Sequence, residues 1–191
     1  DDWSVVFDGD KKPDRSWKRD HGSTRAVEEI VDDSLLIADR GEVSGDYLYY
    51  RYPWGADPDG EAVVEARAKV KSGSSFIIAT NGSGGERLGL WPDRIELFHN
   101  RQLQYKMDTT DDFHLYRMEL KGRNLKIYVD GELRIDASGA MGPRSGYMKN
   151  EVAFGAANSP QSGEAYWRDI KARASGLTLQ DLVLSVSYEK D

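Results

Sequence analysis

Apolar and polar residues alternate with a period of two along most of this chain, and no ten-residue stretch carries the 3.6-residue period of an amphipathic helix. Many short strands with no helices between them exclude an α/β fold and leave a sandwich or a barrel. The clearest run covers residues 61–70. There Val64, Ala66, Ala68 and Val70 share one face, while Glu61, Val63, Glu65, Arg67 and Lys69 share the other. That pattern describes a strand buried on one side. Residues 115–120 alternate in the same way, as do Leu125, Ile127 and Val129. Asp130-Gly131 then separates this run from Leu133 and Ile135, which predicts a two-residue hairpin turn. Further strands are expected at 4–7, 34–38, 46–52, 76–80, 87–90, 94–98, 102–106, 152–155 and 165–174. The best helix candidate is 177–184, and its 183–188 half reads equally well as a strand.

The chain has 191 residues, the size of one large β-sandwich. A domain of that length buries roughly two-thirds of its unfolded surface and needs neither a disulfide nor a metal to fold. It has no cysteine, which removes thiolate metal sites and cysteine nucleophiles. With 33 acidic against 26 basic residues the net charge is −7, which disfavours nucleic acid as a partner. No apolar stretch approaches the ~20 residues of a membrane span. No internal repeat and no Pro/Ser linker divides the chain. One domain over 1–191 is expected, with a core over 3–174 and an extra segment over 175–191. The opening Asp1-Asp2-Trp3, without a starting methionine, suggests a secreted, periplasmic or cell-surface protein.

Three motifs stand in order along the chain: Trp3-Ser-Val-Val-Phe7-Asp8-Gly9 with Trp17-Lys18; Asp108 to Arg117 running into Lys126-Ile-Tyr-Val-Asp130-Gly131; and Gly163-Glu-Ala-Tyr-Trp167-Arg-Asp169-Ile170. Their order resembles the concanavalin A-like and laminin-G-like superfamily. The N-terminus is also similar to the 3-keto-disaccharide hydrolase group, and the whole is similar to lectin-like domains attached to sialidase-type enzymes. The resemblance implies an all-β, two-sheet antiparallel jelly roll whose concave face or rim carries a sugar site. It implies that the first and last strands meet, bringing Asp8 near Asp169, where several relatives hold a structural calcium. No other cofactor is expected. It also implies that His114 helps to build the sandwich. Retaining β-glucanases of this fold carry Glu-x-Asp-x-x-Glu on one strand, and that motif is absent here. Asp93 and Glu96 are the nearest substitute, but an offset of three predicts opposite faces of a strand.

The candidate ligand-binding residues are Arg87, Trp91, Glu96, His99, Arg101, Tyr105 and Lys106, which concentrate charge, hydrogen-bonding groups and rings between turns, together with Trp54 in an apparent loop. Arg and Lys can bind a carboxylated sugar, and an indole or phenol ring can stack on a pyranose. A His–Tyr–Arg group also suits lyase chemistry, in which Arg neutralises a uronate while Tyr or His takes a proton. His99 is expected to be solvated at a hairpin, and His21 to lie in a turn. Trp3, Trp17 and Trp167 are expected in the core, and at least one of Tyr47, Tyr49 and Tyr50 on the outside. The leading reading is a carbohydrate-binding, lectin-like domain for an oligo- or polysaccharide, including an acidic one. Its rivals are a polysaccharide lyase or glycoside hydrolase on the same scaffold, and a laminin-G-type protein-interaction domain.

Overall fold

The computed structural model describes residues 2–43, 45–141, 150–157 and 162–175. The helix candidate at 177–184 lies outside them. The strands in chain order are β1 (Val5–Asp8), β2 (Lys18–His21), β3 (Val27–Val31), β4 (Ser34–Ala38), β5 (Tyr47–Pro53), β6 (Glu61–Ser72), β7 (Ser75–Thr80) and β8 (Gly85–Trp91). They continue with β9 (Arg94–Leu97), β10 (Gln104–Lys106), β11 (His114–Lys121), β12 (Asn124–Val129), β13 (Glu132–Ala137), β14 (Glu151–Ala157) and β15 (Glu164–Ala174). They form two antiparallel sheets, a jelly-roll sandwich with no helix among the described residues.

One sheet has eight strands, ordered β13-β12-β11-β6-β15-β4-β3, with β1 also paired to β15. The other has seven, ordered β10-β9-β8-β7-β14-β5-β2. The alternation in β6 places Val64, Ala66, Ala68 and Val70 in the core between the sheets, as their spacing predicts. Its charged residues turn outward into ion pairs: Arg117 of β11 reaches Glu65 across the strands at 2.6 Å and Glu119 on its own strand at 2.9 Å. Strands β4, β7 and β14 are buried along their whole length, so they show little alternation. Strands β2 and β3, Lys-Arg-Asp-His and Val-Glu-Glu-Ile-Val, were not expected. Each lies at a sheet edge with mostly exposed or half-buried side chains, so neither carries an apolar face for a pattern to reveal. His21 closes β2 and is not a turn residue.

Aromatic rings join the two sheets. Phe154 of β14 stacks on Phe7 of β1 at 5.3 Å and meets Trp167 of β15 edge-on at 5.1 Å. Trp17 packs against both Phe7 and Phe154. Trp17 and Trp167 are core residues as expected, whereas Trp3 is half-buried with the Arg173 guanidinium over its ring at 5.1 Å. The first and last described strands meet in register, with Phe7 opposite Ile170 and Asp8 opposite Asp169.

Two glycines show how local geometry is enforced. Asp130 and Gly131 both have positive φ, 50° and 86°, and they turn β12 into β13 as Asp-Gly predicts. Gly155 has φ 147°, and a Cβ there would lie 2.4 Å from the Leu48 carbonyl oxygen and 2.6 Å from the Tyr49 Cα. Gly131→Ala should therefore lower the unfolding free energy by about 1–2 kcal/mol, since only the left-handed backbone resists it and no atom lies within 4 Å. Gly155→Ala should cost more, because β5 would have to move. Urea denaturation of the two variants checks that order.

Candidate functional site

Register across the seven-stranded sheet sets up one continuous outer face. Tyr49 of β5 stands between Asp20 and Gly155, Gly155 opposite Phe76, Phe76 opposite Gly89, Gly89 opposite Glu96, and Glu96 opposite Gln104. Residues directly opposite one another share a face, so this row crosses all seven strands on the side away from the core. A neighbouring row runs Lys18, Arg51, Ala153, Ile78 and Arg87. Phe76, Ile78, Ala153 and Ala157 form a small apolar cluster of their own on this face, with Tyr47 and Tyr49 packed against it. Tyr49 meets Phe76 edge-on at 5.5 Å.

Toward β8 and β9 the face opens into a cleft of about 100 Å³ bounded by Arg87, Gly89, Trp91, Glu96, Phe98 and Arg101. The β8–β9 hairpin, turning at Pro92-Asp93, brings Trp91 beside Arg94. A side chain at Gly89 would crowd the Trp91 indole, since its Cβ would lie 3.2 Å from Nε1. The Arg87 guanidinium lies over Phe76 at 4.2 Å and over Phe98 at 5.1 Å, and it donates to the Ala157 carbonyl at 3.4 Å. Arg101 lies over the same Phe98 ring at 5.7 Å. Arg94 sits over Trp91 at 4.6 Å and grips Glu96 at 3.0 Å and Asp93 at 2.7 Å. Asp93 stands in the turn, so the two carboxylates are not split between the faces of a strand as their offset predicts. One guanidinium holds both.

Four of the predicted ligand residues thus come together: Arg87, Trp91, Glu96 and Arg101. The others do not join them. Tyr105 pairs with Ile95 of β9, which puts its ring on the core side, under the Arg134 guanidinium at 4.7 Å. Lys106 stands beside Arg94 on the edge strand, exposed and outside the cleft wall. His99 is half-buried, its side chain 21% exposed, rather than freely solvated. Its Nδ1 lies 2.9 Å from Oε1 of Glu86, whose side chain is fully buried, and its backbone N–H donates to the same oxygen. Trp54 is not an exposed platform: it is buried, and its indole N–H donates to the Thr80 carbonyl at 2.8 Å. The backbone of Trp54 also bonds Asn150, so the β5–β14 ladder extends one residue past Pro53. Leu48, Tyr50, Tyr52 and Trp54 then fall on one inward face, a parity visible in the sequence.

The other end of the same face holds residues that the sequence did not single out as a site. Arg51 bridges Glu151 at 2.8 Å and Asp20 at 3.2 Å. Burial, reinforced by the Asp20 carboxylate, pushes the Tyr49 phenol up to about 12. The expected outward tyrosine is here, along with Tyr47.

Asp169 accepts from Arg67 at 2.9 Å through Oδ2, and its Oδ1 is buried without a partner. Among the described residues no group of three or more His, Asp or Glu side chains is placed to hold a metal ion. His114 lies in a second cleft, of about 340 Å³, near Asp108 and Glu132. Its Nδ1 lies 2.6 Å from Asp130 and its Nε2 2.7 Å from Asp111, which ties the loop before β11 to the β12–β13 turn. An imidazole that serves two carboxylates must donate from both nitrogens, so it is the protonated form that fits.

No family model matches the chain, no curated protein matches it, and the N-terminal link to the 3-keto-disaccharide hydrolase group is not shown. Solved structures do match. A sialidase aligns with a TM-score of 0.63 at 14% identity, over 99% of this chain and 21% of the sialidase, so the chain spans about a fifth of that protein. Alginate lyase AlgAT5 of polysaccharide lyase family 7 aligns with a TM-score of 0.60 at 10% identity, over 82% of this chain and 93% of that one. Bacillus licheniformis β-glucanase aligns with a TM-score of 0.57 at 12% identity, over 90% and 98%. At such identities the likeness is one of fold, and the fold is the concanavalin A-like jelly roll.

Burial opposes charging of His114, but the hydrogen bonds and charges of Asp130 and Asp111 outweigh it and raise the imidazole above its usual range. The same contact lowers Asp111. The stabilisation is therefore complete only above the ordinary carboxylate range near ~4 and below the ordinary histidine value near ~6.5. It is lost as pH rises through the raised imidazole value, or falls through the lowered carboxylate value. His114→Asn should lower the melting temperature most at about pH 5–6, with a gap that narrows by about pH 9. Thermal melts of the two proteins across pH check this, and an equal gap at every pH would refute it.

Proposed function

We propose that the outer face of the seven-stranded sheet binds carbohydrate and that the chain is a lectin-like, carbohydrate-binding domain of a sugar-processing system. The observation that carries this reading is the conjunction of rings and polar groups on one face. Trp91 and Phe98 border the cleft, Tyr49 stands across an apolar floor of Phe76 and Ile78, and guanidiniums and carboxylates rise between them. Sugar rings present an apolar face and an equatorial rim of hydroxyls, which such a surface meets at both levels. The names of the matched structures, a sialidase, an alginate lyase and a β-glucanase, agree with a polysaccharide partner.

A glycan array with the intact protein tests the proposal, followed by titration of Phe98→Ala and Trp91→Ala. Phe98 is 39% exposed, so its removal should leave the melting temperature nearly unchanged. Each loss should weaken glycan binding by about 1 kcal/mol, roughly five-fold. A parent that binds no glycan, or variants that bind like the parent, would remove this face from consideration. Release of unsaturated uronate or new reducing ends in the same incubations would assign the face to an enzyme instead.

A further inference from the structure

We propose that the cleft between Trp91 and Phe98 holds the carboxylate of an acidic sugar, gripped by Arg87 and Arg101; this rests on the sugar-binding reading of the same face. The first support is placement. Two guanidiniums lie over one phenyl ring, at 5.1 Å for Arg87 and 5.7 Å for Arg101. Arg87 is further fixed by Phe76 on its other contact and by the Ala157 carbonyl. Two guanidiniums held at one ring place charged donors on the same cleft, and an anion is the ligand that such donors attract.

The second support is the local charge balance. Asp93 and Glu96 are both taken by Arg94, and Lys106 stands next to Arg94 on the edge strand. Among the described residues that line the cleft, the one carboxylate, Glu96, is held by Arg94, while Arg87 and Arg101 each present a guanidinium. At the opposite end Arg51 bridges Asp20 and Glu151, with Lys18 beside it on the same row. A planar guanidinium can meet a carboxylate through two parallel hydrogen bonds.

The experiment uses the intact protein and oligosaccharides of homogalacturonan, alginate and hyaluronan, each beside its methyl-esterified form. Cello-, manno- and laminari-oligosaccharides serve as neutral references, and a sulfated galactan as a second anion. The expected result is that at least one uronan binds roughly ten-fold or more tightly than its methyl ester, and that the preference shrinks with added salt. Arg101→Gln should abolish the preference, and Arg101→Lys should restore part of it, with melting temperatures unchanged since Arg101 is exposed. Equal binding of a uronan and its ester, or a preference that survives Arg101→Gln, would overturn the inference. So would a sulfated galactan bound as tightly as the best uronan. If only neutral glycans bind, the sugar-binding reading stands and the carboxylate site falls. If no glycan binds, both fall.

Discussion

The sandwich is held in register by what meets the Phe154 ring. Phe154 belongs to a central strand of the seven-stranded sheet, yet three of its ring contacts, Phe7, Trp17 and Trp167, come from outside that sheet, two of them from the eight-stranded one. Rings of this size bury 150–250 Å² each, so the cluster carries a large share of the apolar area that closes the two layers. It also fixes β14 against β15 and β1, and with β14 fixed the strands on either side of it have only one way to lie. The position of Tyr49 over Phe76 follows from that, as does the position of Arg87 opposite Ile78.

The floor of the outer face needs a second explanation. A sheet in a sandwich ordinarily shows solvent one polar face, but β7 and β14 carry Phe76, Ile78, Ala153 and Ala157 outward. These residues are buried because Tyr47, Tyr49 and Arg87 lie across them, each contributing a flat apolar surface and a polar tip. The result is an apolar floor with polar walls. Such a surface gives little to water and can give both stacking and hydrogen bonds to a ring of the right shape.

The sheet architecture was legible in the sequence wherever a strand buries one face only. β6, β11, β12 and the Asp130-Gly131 turn are all read correctly from alternation and turn chemistry, because one face meets the core and the other meets water. The edges escaped, since β2 and β3 have little apolar area to place. The site was half legible. Composition alone pointed to the Arg87–Lys106 stretch, and register then divided it: a strand sends Glu96 out and Ile95 in, and Tyr105 follows Ile95. Trp54 was misplaced because proline suggested a loop, whereas the ladder runs one residue further. Glu86 left no trace at all. It occupies an inward position on β8 where the period predicts an apolar residue, and the half-buried His99 meets it. Buried polar pairs of this kind have no signature along one strand, because their cause lies on another.

In both sheets a middle strand comes from the end of the described chain. β14 separates β5 from β7, and β15 separates β4 and β1 from β6. A growing polypeptide that has emerged only as far as residue 150 therefore holds both sheets as separated halves, with Val5 still waiting for Ala172 as its neighbour. The contacts that unite the halves span most of the sequence, and such distant pairings form slowly. Until they form, β4, β5, β6 and β7 each present an open edge of backbone donors and acceptors. The chain must therefore have emerged as far as β15 before the two sheets can close, and in that interval the greatest hazard is pairing with another copy of itself.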